Sequence, residues 1–139
     1  MSFWQKRGAC VVLVVISVLA TVVCVSAYNA ASWCLMAERA YLANVFVLEL
    51  LTEYVSANKG AWPASWEDLE KLPGPERAMF RWPEDKDEIQ RYVSIDFAAD
   101  PQKLAQQSVD QFAAVQPRGP CYPYDAKIGA LLEAVRLSK

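Results

Sequence analysis

No histidine occurs among the 139 residues, and with it go the commonest general base and the commonest transition-metal ligand. Serine–histidine, cysteine–histidine and histidine–zinc chemistry are therefore excluded. The four cysteines, Cys10, Cys24, Cys34 and Cys121, match no CxxC or zinc spacing. Cys10 and Cys24 fall inside an apolar run, where a thiol behaves as a small hydrophobe. Cys34 and Cys121 are the pair on which an oxidising compartment could act, standing either as two free thiols or as one long-range bridge. Carboxylates come in three settings: Glu49 and Glu53 are four apart in helical text, Asp96 follows Ser94 in alternating text, and "PEDKDEI" mixes both signs. The last lacks the alternating oxygen ligands and the glycine of a calcium loop. All three read as solvated faces or a helix start. The densest unusual stretch is "RGPCYPYD", where Cys121 has no histidine to activate it. Arg118, Cys121, Tyr122 and Tyr124 are accordingly candidates for a contact loop, with plain turn structure as the alternative. No catalytic residue, cofactor or metal ligand is expected.

What must position these groups begins at the amino terminus. From Ala9 to Ala27 there are 19 residues without a charge; at about 1.5 Å per residue they make a helix as long as a hydrocarbon core is thick. Their β-branched content disfavours a helix in water, but in lipid every backbone group must be paired within the segment. Lys6 and Arg7 precede the run, whereas Glu38 and Arg39 after it cancel. The positive-inside rule then leaves residues 1–8 in the cytoplasm, with 9–28 spanning and 29–139 outside. A secretory signal would carry an apolar region of about 7–15 residues and a small-residue cleavage site, for which "VSA" before Tyr28 is passable. The longer run favours retention. A lipoprotein anchor at Cys24 lacks small residues just before the cysteine.

Downstream, no Pro or Gly interrupts the text between Tyr28 and Gly60, and Glu38, Glu49, Thr52, Glu53 and Ser56 fall largely on one stripe at helical spacing. The pattern predicts one helix running from the membrane to Asn58, roughly 50 residues, with Gly60 as its C′ stop. Its second half offers a broad apolar face to a domain.

A long amino-terminal helix, half in the membrane and half under a small α+β head, resembles the type IV pilin and type II secretion pseudopilin architecture. The resemblance extends to "YVSANKGAWPASWEDLEKL", similar to the segment that follows the long helix in that family, and covers about residues 6–72. "KRG" before the apolar run looks like a prepilin leader, which implies processing between Gly8 and Ala9. The chain departs from the family at Leu13, where the fifth mature position usually carries glutamate, and at Ala9, where it usually carries phenylalanine. The resemblance implies a non-enzymatic structural or assembly subunit of a bacterial inner membrane. Its partners would be lipid and other membrane or pilin-like proteins met through the long helix, with oligomerisation open. A permanently anchored accessory subunit of a membrane complex is the alternative.

In the remaining text Ser65 is an N-cap candidate with Asp68 as its capping-box partner, and Trp62, Trp66 and Leu69 should face the core. "QRYVSIDF" alternates as a half-buried strand with Val93, Ile95 and Phe97 inward. "QFAAVQP" and "AMFRW", from Ala78, are further strand candidates. Asp100 and Pro101 should open a short helix. Ile128, Leu131, Leu132 and Val135 mark an amphipathic carboxy-terminal helix with Asp125 as N-cap and Arg136 and Lys139 suiting the macrodipole. The expected fold is α+β: a long helix packed against a small antiparallel sheet, with short helices and this terminal helix. A net charge of −2 with no basic face argues against nucleic acid.

Overall fold

A computed structural model describes residues 3–75 and 79–138, with side chains from Val11 onward. Its first element is a single helix, α1, Phe3–Ala57. The chain divides into two compact units, residues 1–35 and 36–139, and α1 contributes to both.

In the first unit, Val11, Leu13, Val14, Ile16, Val18, Leu19 and Val23 are each more than half exposed, and their positions run round the whole circumference of a 3.6-residue helix. The Thr21 hydroxyl donates to the Ser17 carbonyl at 2.9 Å, so the polar group is satisfied inside the apolar text. By length and composition this helix is long and apolar enough to cross a membrane.

The second unit is an α+β domain built on the rest of α1. Ala37, Ala40, Ala43, Val47, Leu48, Leu51 and Val55 are buried, as are Phe46 and Leu50 beside them. The helix ends in a Schellman arrangement: the Gly60 N–H donates to the Val55 carbonyl at 2.9 Å, and Lys59 and Gly60 have φ of +53° and +83°. Lys59, not Gly60, is therefore C′, and glycine serves one residue later. A Cβ at Gly60 would also stand 3.0 Å from that of Ser138.

Short elements follow: α2 (Trp66–Leu69), α3 (Lys86–Tyr92), β1 (Val93–Ile95), α4 (Pro101–Leu104), a 3₁₀ turn (Val109–Gln111), β2 (Val115–Pro117) and α5 (Asp125–Leu137). The strands pair antiparallel, Val93 against Pro117 and Ile95 against Val115. Leu69, Ile89, Val93, Leu104 and Val115 join the α1 face and the Ile128, Leu131, Leu132 and Val135 stripe of α5 in one core. Trp62 and Trp66 are partly buried against it. Arg136 ties α5 to the end of α4, its Nε and Nη2 donating to the carbonyls of Ala105 and Gln107 at 2.9 and 2.7 Å.

Several local expectations are corrected. "AMFRW" contains no strand over Met79–Trp82, and Ala78 lies outside the described residues. The Arg81 N–H that a ladder would use donates instead to the Asp85 carboxylate at 2.8 Å, in the turn that leads into α3. Phe80 and Trp82 pack on Phe46 with ring centroids 6.1 and 5.6 Å away. "QRYVSIDF" is strand only from Val93, because Ile89 anchors a helical turn that runs through Tyr92. The inward–outward alternation expected there is present: Val93 is buried, Ser94 exposed and Ile95 half-buried. Gln111 is taken by a capping box with Ser108, which delays the second strand to Val115. Ser65 makes no cap hydrogen bond; the Asp68 carboxylate accepts from the Ala64 N–H at 3.0 Å instead. Asp125 is the first residue of α5, with Tyr124 in the cap position. Asp100 does cap α4, accepting from the Gln102 N–H at 2.8 Å with Pro101 in the first turn.

Candidate functional site

The loop from Arg118 to Tyr124 is set by the strand before it and the helix after it. β2 ends at Pro117, which has no N–H to carry the ladder on. Arg118 continues the pairing in another way: its N–H donates to the Tyr92 carbonyl at 2.8 Å, and its Nε donates to the Val93 carbonyl at 3.1 Å. The residue thus clamps the start of β1 and holds the mouth of the loop closed. At the other end the Tyr124 carbonyl accepts from the N–H groups of Lys127 and Ile128 and opens α5.

Between these ends the side chains are apolar or protonated. The Cys121 Sγ donates to the Tyr122 carbonyl at 3.3 Å. Burial pushes this thiol up from its ordinary value, and the Tyr122 backbone, which would stabilise a thiolate, opposes that only in part. Cys121 is therefore a thiol at neutral pH, lacking the electropositive surroundings that make a reactive thiolate. Burial likewise pushes the Tyr124 phenol up to about 12, with Cys121 and Asp125 adding to the effect. Tyr122 is 41% exposed, and its ring meets Tyr41 of α1 edge-on, with centroids 6.4 Å apart and planes at 72°. Such a pair contributes about 0.5–1.5 kcal/mol beyond its buried area.

Of the four residues singled out in this loop, Cys121, Tyr122 and Tyr124 share one patch, while Arg118 turns back to the sheet. Tyr41 was missed by sequence reasoning. Its signal was its place three and seven residues before Asn44 and Leu48, on one face of the helix with them. The carboxylates do not assemble into a site. Glu49 pairs with Lys127 of α5 at 2.5 Å, whereas Glu53 is exposed. Asp96 is used locally: its carboxylate accepts from the Ala98 N–H at 3.0 Å, and its carbonyl accepts from the Trp62 indole at 2.9 Å. Cys24, Cys34 and Cys121 are free thiols. Among the described residues no three His, Cys, Asp or Glu side chains gather as a metal site. Gly8 and Ala9 both lie within the helical backbone of α1.

The patch can offer aromatic surface and hydrogen-bond donors to a partner; it holds no group that is both activated and aimed at a cavity. No protein-family model matches the chain, and no curated protein or solved structure matches it either.

Proposed function

We propose that this protein is a non-enzymatic, single-pass membrane subunit of pilin-like build, held in a bacterial inner membrane by α1 with its amino terminus cytoplasmic and its α+β head outside. The observation that carries the reading is α1 itself. One helix is exposed and apolar all round in its first unit and buried along one face in its second, the combination needed to anchor a head rather than to fill a core. Lys6 and Arg7 before the run supply the orientation. Partners would be lipid along the first part and other membrane or pilin-like proteins along the helix or at the Tyr41–Tyr122 patch. An accessory subunit that stays permanently anchored is the second reading. Leu13 favours it, standing where a filament-forming pilin would carry glutamate.

The intact mass of the protein purified from membranes separates the two. A mature chain beginning at Ala9 supports pilin-type processing. A chain that retains Lys6 and Arg7 supports the permanent anchor. A chain beginning at Tyr28 would refute both.

A further inference from the structure

The charge-free text does not stop where one hydrocarbon thickness is used up. Ala9–Ala27 already spans about 28 Å, yet the next charge is at Glu38. The intervening Tyr28–Leu35 has a composition of its own: two aromatic residues, the small Ala30, Ala31 and Cys34, and the uncharged polar groups of Asn29 and Ser32. Its large side chains are exposed, Tyr28 by 73%, Trp33 by 49% and Leu35 by 63%. On a helix, Trp33 lies about 140° round from Tyr28, while Leu35 returns to within about 20° of it. A protein partner covers one face of a helix, whereas this stretch presents aromatic and apolar surface on opposite sides.

We propose that Tyr28–Leu35 is an interfacial band lying in the outer headgroup layer of the bilayer, so that lipid covers α1 from Ala9 to Leu35. The proposal rests on the membrane-anchor reading above and extends it by assigning the occupant of this stretch. Length agrees: Ala9–Leu35 is 27 residues, about 40 Å of helix and about 38 Å along the bilayer normal at an ordinary tilt of about 20°, against roughly 35–38 Å for the hydrocarbon core plus one headgroup layer. Chemistry agrees as well, because tyrosine and tryptophan concentrate at the membrane–water boundary, where a ring is buried and its polar atom stays wet. Tyr28 falls at the hydrocarbon edge and Trp33 about 7.5 Å further out. The second compact unit begins at Met36, the residue after the band ends.

The native thiols Cys24 and Cys34 lie on either side of the proposed boundary and are both exposed. The full-length protein is reconstituted in phosphatidylethanolamine–phosphatidylglycerol vesicles as three nitroxide-labelled forms. One keeps only Cys24, one keeps only Cys34, and one carries Glu53→Cys with every native cysteine changed to serine. Collision with oxygen and with a water-soluble nickel chelate then reports the depth of each label. The expected result is strong preference for oxygen at Cys24 and for nickel at the Glu53→Cys label. The Cys34 label should fall between them, in the roughly 5–8 Å headgroup layer. A Cys34 label as open to nickel as the head control, or as oxygen-selective as Cys24, overturns the band while leaving the anchor intact. A Cys34 label shielded from both reagents, with spin–spin broadening that unlabelled protein dilutes away, overturns it in favour of a second copy. A Cys24 label open to nickel contradicts the anchor itself.

Discussion

The two parts of α1 are both rich in apolar residues and stand in opposite relations to the rest of the chain. Between Val11 and Val25 the large side chains are each more than half exposed, whereas between Ala37 and Val55 a continuous face is 0–3% exposed. What separates them is both the number and the placement of polar residues. The first part has only hydroxyls and no stripe; the second places Glu49, Glu53 and Ser56 away from its buried face. A helix apolar all round needs an apolar solvent, and one apolar on a single face needs a domain. Three alanines at 37, 40 and 43 open the second part with small side chains that let neighbouring elements approach closely.

The largest effect should come from the buried face. Leu48→Ala is expected to destabilise the head by about 2–5 kcal/mol, read from urea unfolding in detergent micelles followed by tryptophan fluorescence. The matching deletion in the first part, Leu19→Ala, should move the same transition by no more than about 0.5 kcal/mol. Equal shifts would abolish the distinction between the two parts. Next comes a charge in the exposed run: Leu19→Arg should raise the free energy of membrane insertion by about 2.5–3.5 kcal/mol. The readout is a larger share of protein extracted from membranes, with head unfolding unchanged.

Asn44 sharpens the comparison, because it is a polar residue fully buried in the second part. Its Nδ2 donates to the Ala40 carbonyl at 2.8 Å, but its Oδ1 has no partner among the described residues. Removing a good bond and an unpartnered acceptor together should nearly cancel, so Asn44→Ala is expected to change stability by under about 1.5 kcal/mol. A larger loss would mean that Oδ1 is satisfied by a buried water.

Tyr124 gives a pH test confined to the head. Its folded-state value of about 12 lies above the ordinary 10.0. The neutral phenol is thus favoured in the fold, and its contribution to stability is complete below pH 10 and is lost as pH rises through about 12. Ultraviolet titration should show one late-ionising tyrosine that disappears in Tyr124→Phe; a Tyr124 titrating near 10.0 would refute its burial. The smallest effect is expected at Lys127→Ala. It breaks a half-exposed pair with Glu49 and should lower head stability by no more than about 1 kcal/mol.

Periodicity carried most of what was legible beforehand. The four-residue stripe of α5 and the length of α1 follow from spacings repeated over many residues, and all four α5 positions are buried. Asp100 was legible because an acid directly before proline has one strongly favoured local geometry. The short elements were not, since each turns on a single competing hydrogen bond. Asp85 takes the Arg81 amide, Gln111 closes on Ser108, and Asp68 reaches past Ser65 to Ala64. No pattern in the text ranks those choices. In the candidate patch, residue types pointed to Cys121, Tyr122 and Tyr124, but the meeting of Tyr122 with Tyr41 joins positions 81 apart in sequence. Only the packing of the loop against α1 brings them together. Arg118 was singled out as part of the dense "RGPCYPYD" stretch and acts instead through its place beside β1.

The most direct test of the difference between the two parts is extraction of native membranes with alkaline carbonate, which strips peripheral proteins and leaves spanning ones behind. The full-length chain should remain in the membrane pellet. Its complete release into the supernatant would contradict an anchor in α1 and leave the exposed apolar run without the solvent it needs.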